Sequence, residues 1–322
     1  MSFLSESRFT ILDNSEIQSK IVSEMVLIIQ AICAECSDID AIILEGSYGR
    51  GEGAMIQLGH RWVPVNDYDL CIVTEKVVAK TSLENIRKII LRECDIWRVD
   101  FSTISRSGLS ALKPRMLYFD RKYGSQVIYG DREILNIIPE MRSEELPLFE
   151  AEKEFYTRII SFVLAFERVY LLREVTDKET FQIRQQLAKA LIACANAQLI
   201  VRGIYRSSII EREKLFREIA PYNKDIMELI FSAFAFKSYP DYKQSINVME
   251  YYFQCRNVYL KCFKEMVNIM YKTKFNTWES YSIKYLHSLR NLALRLRGWL
   301  KQDNCHYRNQ QLNLAQLFLV IG

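Results

Sequence analysis

The sequence predicts an α+β protein, in which a mixed β-sheet with flanking helices is followed by an all-helical domain. Up to about residue 140, short apolar segments typical of buried strands alternate with amphipathic helical segments. Further along the chain only long helical patterns occur, and no comparable strand signal follows residue 131. We therefore predict two domains, residues 1–145 and residues 146–322, as a chain of 322 residues allows.

The composition limits the class of protein. Apolar residues make up 49% of the chain and charged residues 25%, which is typical of globular proteins and excludes a disordered or fibrous one. The formal net charge of +4 is compatible with binding anions but does not by itself indicate nucleic acid. The first residues lack the features of a signal peptide, and no uninterrupted apolar run predicts a membrane span. We expect a cytoplasmic protein with no membrane partner.

The elements of the first domain follow from apolar spacing. Residues 14–36 carry an apolar stripe at helical spacing, and residues 82–93 form a second amphipathic segment. The segments "AIILEG", "LCIVTE" and "WRVDFSTIS" are predicted strands. We also predict a β-hairpin in "MLYFDRKYGSQVIYG", turning at Tyr123, Gly124 and Ser125.

The second domain is predicted to be a series of helices. The helical patterns cover residues 150–175, 178–202, 208–219, 223–237, 243–272 and 277–301. The last of them carries five basic residues and no acidic residue, namely Lys284, Arg290, Arg295, Arg297 and Lys301. Such a basic face could bind RNA or a phosphorylated acceptor, but a solvated face explains it more simply.

Asp67 and Asp69 lie at the start of the predicted strand "DYDLCIVTE". Alternate residues of a strand share one face, about 6.6 Å apart, so the two carboxylates point the same way. Two adjacent carboxylates near a buried strand repel each other and are costly to desolvate. A divalent cation such as Mg²⁺ relieves both costs, because it prefers carboxylate oxygens supplemented by phosphates. The alternative is a solvent-exposed strand end with two unrelated acids.

A glycine-rich turn precedes the aspartates. The segment "AIILEGSYGR" indicates a strand, a turn at Gly46 and Ser47, and the start of a helix. Backbone N–H groups and a helix N-terminus at such a turn are suited to phosphate, and Arg50 adds a cation. A glycine-rich turn alone is a weak signal, but together with the acid pair it predicts a site for a metal-bound triphosphate.

These motifs resemble those of the nucleotidyltransferase superfamily related to DNA polymerase β. The resemblance covers about residues 15–131 and includes Gly46-Ser47, then Asp67 and Asp69, and then a third acid, Asp100, on a later strand. The 19 residues from 48 to 66 make a longer spacer than compact members have. We predict a hairpin or loop extension there.

The resemblance implies a metal-dependent enzyme that moves a nucleoside monophosphate from an NTP to an acceptor hydroxyl and releases pyrophosphate. Two Mg²⁺ ions are implied, one held by Asp67 and Asp69 and the other by these two with Asp100. Gly46 and Ser47 would hold the β- and γ-phosphates, with help from Arg50. Lys189, in the helical domain, matches the position from which such enzymes often give a lysine to the triphosphate, although it could equally be a solvated helix residue.

The acceptor predicted from these features is a small molecule, a glycan intermediate or a protein. Two alternatives remain open. The chain could be a catalytically silent nucleotide-binding module of regulatory or antitoxin-like type, although all three acids are present. It could also add nucleotides to RNA ends, a possibility that the mild net charge does not favour.

Overall fold

The computed structural model describes residues 4, 6–166, 173–242, 246–272 and 274. The strands in this part of the chain are β1 (Ile39–Glu45), β2 (Met55–Leu58), β3 (Arg61–Pro64), β4 (Tyr68–Thr74), β5 (Val99–Ile104) and β6 (Gln126–Gly130). The helices are α1 (Ser15–Glu35), α2 (Gly46–Gly49), α3 (Lys80–Glu93), α4 (Arg106–Ser110), α5 (Met116–Tyr123), α6 (Phe149–Leu164), α7 (Asp177–Val201), α8 (Ile209–Ile219), α9 (Lys224–Ser238) and α10 (Val248–Tyr271).

Four strands form a mixed sheet in the order β5-β4-β1-β6. Strand β1 runs antiparallel to both β4 and β6, whereas β4 and β5 are parallel. Strands β2 and β3 form a separate hairpin between α2 and β4. The mixed sheet with flanking helices, followed by helices α6 to α10, confirms the predicted fold class.

The two faces of the sheet contribute to two different cores. Ile42, Leu70 and Ile72 face the apolar stripes of α1 and α3. Side chains alternate along a strand, so their neighbours Ile43 and Cys71 point to the opposite face. There they join a second core that includes α6, α7, α9 and α10. The helical part of the chain therefore packs on the same face of the sheet from which Asp69 projects.

Helix α7 is the centre of the helical part. It is apolar on most of its circumference, and Leu187, Leu191 and Leu199 are fully buried between neighbouring helices. Thr176 caps its N-terminus with a capping box completed by Glu179. The domain boundary near residue 145 stays a prediction, because the core around α7 continues into the sheet.

The predicted hairpin at Tyr123, Gly124 and Ser125 is wrong. Residues 116–123 form helix α5, and only the second half of the segment is a strand, β6. The short apolar run "MLYF" fits a buried strand as well as a helix, and polar partners from distant segments hold the helix in place. Arg121 forms an ion pair with Glu45, and Asp120 accepts hydrogen bonds from the Tyr205 hydroxyl.

Helix α1 is long and apolar enough to cross a membrane by length and composition alone, with a mean hydropathy of 1.5 over the relevant stretch. Core helices of globular proteins meet the same criterion, and Ile17, Ile21, Met25 and Ile28 pack fully buried against the sheet. The prediction for residues 277–301, including their basic face, lies outside the described residues.

Candidate active site

Asp67, Asp69 and Asp100 meet at one end of the sheet. Each offers a carboxylate oxygen, and these atoms all lie within 4.8 Å of one another. Asp69 is the register partner of Asp100 in the parallel pairing of β4 and β5, and Asp67 lies two residues before Asp69. Tyr68, between the two acids, points into the core under α1 and α3. The predicted grouping of three carboxylates is thus present.

The negative charge of this cluster is only partly compensated. The pKa of Asp69 is raised to about 7, mainly by burial and further by the charges of Asp67 and Asp100. Arg98 pairs with Asp100, at 2.7 Å between Nη2 and Oδ2, and its Nε lies 3.9 Å from Asp67 Oδ2. Because Arg98 is 56% exposed, solvent weakens this compensation. The cluster is therefore suited to a further cation.

A fourth carboxylate, Glu45, was not predicted. It is the register partner of Asp69 on the other side of β4, so Asp100, Asp69 and Glu45 lie in a row across three strands. Glu45 forms an ion pair with the buried Arg121, whose Nη2 also donates to Ser102 Oγ at 3.3 Å. Glu45 therefore has its own cationic partner, although its charge still contributes to the raised pKa of Asp69. In the sequence, Glu45 is indicated only by its position directly before Gly46.

The Gly-Ser turn packs directly against Asp69. Gly46 begins the single-turn helix α2 with a φ of +66°, in the left-handed region that favours glycine. A Cβ atom at this position would overlap Asp69 Oδ2. Ser47 is buried, with 7% of its surface exposed. A helix of four residues contributes little dipole, so positive charge for a phosphate has to come from side chains.

Two tyrosines fix the turn relative to the acids. The Tyr48 ring contacts the Tyr68 ring edge to face, at 4.8 Å between centroids. The Tyr48 hydroxyl donates to Ala54 O at 2.9 Å, and the Tyr68 hydroxyl donates to Glu24 Oε2 at 2.5 Å. Both rings are fully buried. The core beneath them therefore holds the Gly46-Ser47 turn and strand β4 together.

The long spacer folds as predicted, into the β2–β3 hairpin. Its base is closed by Val65 N, which donates to Ala54 O at 2.9 Å, and by Ala54 N, which donates to Asn66 Oδ1 at 3.0 Å. Because both ends of the hairpin meet at this point, the inserted residues leave the turn and the acids adjacent.

Arg50 lies beside the turn but already has an acidic partner. Its Nε lies 2.9 Å from Glu52 Oε2, and its side chain is 11% exposed. Glu52 also accepts hydrogen bonds from Ser208 Oγ at 2.6 Å and from Ile209 N at 2.9 Å, at the N-terminus of α8. The Arg50–Glu52 pair therefore connects the Gly46-Ser47 turn to the helical part. Contact between Arg50 and phosphate stays a prediction.

Lys189 lies where the helical part faces the acids. It lines a cleft together with Asn66, Gln185 and Lys237, and Gln185 Nε2 donates to Val65 O at 3.1 Å. Burial lowers the pKa of Lys189, whereas the carboxylates of Asp67 and Asp69 oppose that change. Lys237, near the end of α9, was not predicted as a site residue. Two lysines of the helical part therefore line this cleft, and the charges of Asp67 and Asp69 act on Lys189 from the sheet.

The chain has a similar solved structure but no match among protein-family models or curated proteins. No protein-family model matches the sequence, and no curated protein matches it. Among solved structures, the chain is similar to spectinomycin adenyltransferase AAD(9) from Enterococcus faecialis, determined with ATP and spectinomycin. The identity is 11% and the TM-score 0.42, covering 74% of this chain and 98% of that one. A similarity this low does not establish the function of the chain.

Proposed function

We propose that the chain is a metal-dependent nucleotidyltransferase of the DNA polymerase β-related type. It would move a nucleoside monophosphate from an NTP to an acceptor hydroxyl and release pyrophosphate. The observation that carries this proposal is the meeting of Asp67, Asp69 and Asp100 beside the Gly46-Ser47 turn. The acids would hold a metal ion, and the turn, with Lys189 nearby, would hold the polyphosphate bound to that ion.

The residues present fit Mg²⁺. All three donors are carboxylates, the oxygen ligands that this ion prefers. Asp69 has a raised pKa because burial and two neighbouring acids disfavour its charge, and a bound cation would remove that cost. Two Mg²⁺ ions held by the three aspartates would neutralise phosphate charge and lower the pKa of the acceptor hydroxyl.

The protein's own side chains would position both substrates. Asp100 lies on the edge strand and is 42% exposed, compared with 30% for Asp67, so the acceptor hydroxyl would approach from the Asp100 side. Gly46 and Ser47 would receive the β- and γ-phosphates. In-line attack by the acceptor oxygen would form its bond to the α-phosphorus while the bond from that phosphorus to the α–β bridging oxygen breaks. The hydroxyl proton would pass to water, and the electron pair would leave with pyrophosphate.

The test is a two-part assay with the full chain. Pyrophosphate release is measured with each of the four NTPs and Mg²⁺ in the presence of a cell extract, and the transfer of radiolabel from the α-phosphate is then followed. We expect EDTA to abolish release and the label to enter small molecules or protein. Label that enters only RNA would instead support an RNA-directed enzyme.

The same assay separates a silent binding module from an enzyme. Such a module would bind NTP in titration calorimetry but release no pyrophosphate with any extract fraction. A chain that binds no NTP with or without Mg²⁺ would contradict both possibilities.

A further inference from the structure

A carboxylate of α1, Glu24, is buried on the face of the sheet opposite the acid cluster. It is 7% exposed and belongs to a helix that packs mainly apolar side chains against the sheet. Its Oε2 accepts a hydrogen bond from the Tyr68 hydroxyl at 2.5 Å, and its Oε1 lies 2.9 Å from Lys20 Nζ. A charge in a core is costly unless it is paired and hydrogen-bonded, so Glu24 depends on both contacts.

The hydrogen bond to Glu24 acts on the acid pair through Tyr68. Tyr68 is the residue between Asp67 and Asp69. Because side chains alternate across a strand, its ring enters the core while the carboxylate of Asp69 leaves the other face. The ring also contacts Tyr48 of α2 edge to face, and its hydroxyl is held on α1. A directional contact from behind the sheet therefore fixes β4 at the point where the two acids leave it.

The Lys20 end of the same pair reaches the strand of the third acid. Lys20 Nζ also lies 2.9 Å from Asp95 Oδ2. Asp95 belongs to the segment between α3 and β5, five residues before Asp100. This second contact is partly exposed, so solvent weakens it relative to the contact with Glu24. Both acid-bearing strands, β4 and β5, are therefore connected to one ion pair of α1.

The stability of α1 does not account for the burial of Glu24. A pair of opposite charges four residues apart supports a helix on its solvent-exposed side as well, and Lys20 before Glu24 is the less favourable order. A buried ion pair can often be replaced by apolar side chains without loss of stability. Apolar packing is non-directional, however, and would leave Tyr68 free to shift along α1. The carboxylate supplies a fixed direction that an apolar side chain does not.

We propose that Glu24 is a positioning residue for the metal site: it fixes the spacing of the three aspartates from the opposite face of the sheet and thereby sets their affinity for a divalent cation. This inference rests on the proposed function, and it adds a residue that contacts neither metal nor substrate. Mg²⁺ demands near-ideal octahedral geometry at about 2.0–2.1 Å, so a small displacement of one carboxylate costs affinity. Residues that orient metal ligands from outside the coordination sphere contribute about 10–100-fold to affinity.

The test measures the binding of Mn²⁺ alone to the full chain, because Mn²⁺ takes the same carboxylate ligands as Mg²⁺ and its free ion is measured by electron paramagnetic resonance. The unmodified chain is compared with Tyr68→Phe, with Glu24→Leu and with the double variant, each well below its unfolding midpoint. Asp69→Asn identifies the ions that the aspartates bind. Glu16→Leu is the matched control, because Glu16 is an exposed carboxylate of the same helix.

Each single variant should lower the thermal unfolding midpoint, because it leaves one buried polar group without its partner. The double variant Glu24→Leu/Tyr68→Phe should regain most of the midpoint, since it removes both partners of the hydrogen bond together. Its Mn²⁺ affinity should nevertheless stay about tenfold below that of the unmodified chain, because no directional contact holds position 68. Glu16→Leu should change neither quantity. Lost affinity in a variant of restored stability distinguishes positioning from a contribution to the fold.

Glu24→Gln gives a second test that does not depend on the double variant. Its amide oxygen still accepts a hydrogen bond from the Tyr68 hydroxyl, so the direction of the contact is kept while the charge is lost. We expect this variant to bind Mn²⁺ within about threefold of the unmodified chain, even if its unfolding midpoint falls.

The results that would overturn the inference are distinguishable from a failure of the proposed function. If the double variant binds Mn²⁺ as tightly as the unmodified chain, Glu24 supports only the fold, and the proposed function is unaffected. The same conclusion follows if Glu24→Gln loses as much affinity as Glu24→Leu. If the unmodified chain binds no Mn²⁺ that Asp69→Asn removes, the inference and the metal dependence of the proposed function fail together.

Discussion

Asp69 and Asp100 are register partners in the parallel pairing of β4 and β5, so their side chains leave the same face of the sheet from adjacent strands. Backbone hydrogen bonds, rather than flexible loops, hold the two carboxylates together. Burial of Asp69, together with the like charges of Asp67 and Asp100, raises its pKa to about 7. The pairing of β4 with β5 therefore imposes the repulsion between Asp69 and Asp100 on the folded chain.

The first prediction concerns pH and Asp69. Its pKa is higher in the folded chain than its usual value of 3.8, so the folded state binds the extra proton. The ionised group therefore destabilises the fold fully above pH 7, and this effect shrinks progressively as the pH falls toward 4. In metal-free buffer, Asp69→Asn should raise the free energy of unfolding at pH 8 more than at pH 5.

Urea unfolding at both pH values checks this expectation. Asp13→Asn is the control, because Asp13 is exposed, and it should give the same small change at pH 8 and at pH 5. An equal stabilisation by Asp69→Asn at both pH values would show that the environment of Asp69 does not raise its pKa.

The second prediction concerns Gly46. Gly46→Ala places a Cβ atom against Asp69 Oδ2 and forces a non-glycine residue to a φ of +66°. We expect loss of NTP binding, because either the turn or the acid has to move. Gly59→Ala is a matched control, since Gly59 has a φ of +64° and nothing lies within 4 Å of an added Cβ. Both variants should lose about 1–2 kcal/mol of stability from the backbone, and only Gly46→Ala should lose binding.

The third prediction concerns Glu52. Its carboxylate pairs with Arg50 and accepts hydrogen bonds from Ser208 and Ile209, almost fully buried. Glu52→Gln leaves Arg50 without its acidic partner and weakens the cap of α8. We expect a loss of about 2–4 kcal/mol in the free energy of unfolding, measured with urea. The exposed Glu218→Gln should change it by less than about 0.5 kcal/mol, and a similarly small effect of Glu52→Gln would contradict the buried connection.

The sequence predicted those features that depend on local pattern. The strands β1, β4 and β5 and the described helices of the second part follow from apolar periodicity, and the three acids follow from the resemblance to one family. Segment 116–123 was assigned wrongly because its apolar spacing fits a strand as well as a helix, and the buried contacts of Asp120 and Arg121 come from distant residues. Local pattern contains no information about such partners.

Lys237 illustrates the same limit within the site. In the sequence it is an ordinary lysine near the end of an amphipathic helix, 48 residues after Lys189. Only the packing of α9 beside α7 brings both lysines to the lining of one cleft. Glu45 was also missed, because its relation to Asp69 depends on the antiparallel register of β1 and β4.

The most direct test of the proposed function is Asp100→Asn, measured for NTP binding and for transfer in the same preparation. Arg98→Gln is its matched control, because it breaks the same ion pair and leaves the carboxylate in place. If Asp100 holds a catalytic metal ion, Asp100→Asn should bind NTP within about threefold of the unmodified chain, since Asp67 and Asp69 remain, and transfer should fall by about a hundredfold or more. The fold should be unharmed, and Arg98→Gln should retain most of the activity. Full transfer activity in Asp100→Asn would show that Asp100 is only the surface partner of Arg98, and would contradict the proposed active site.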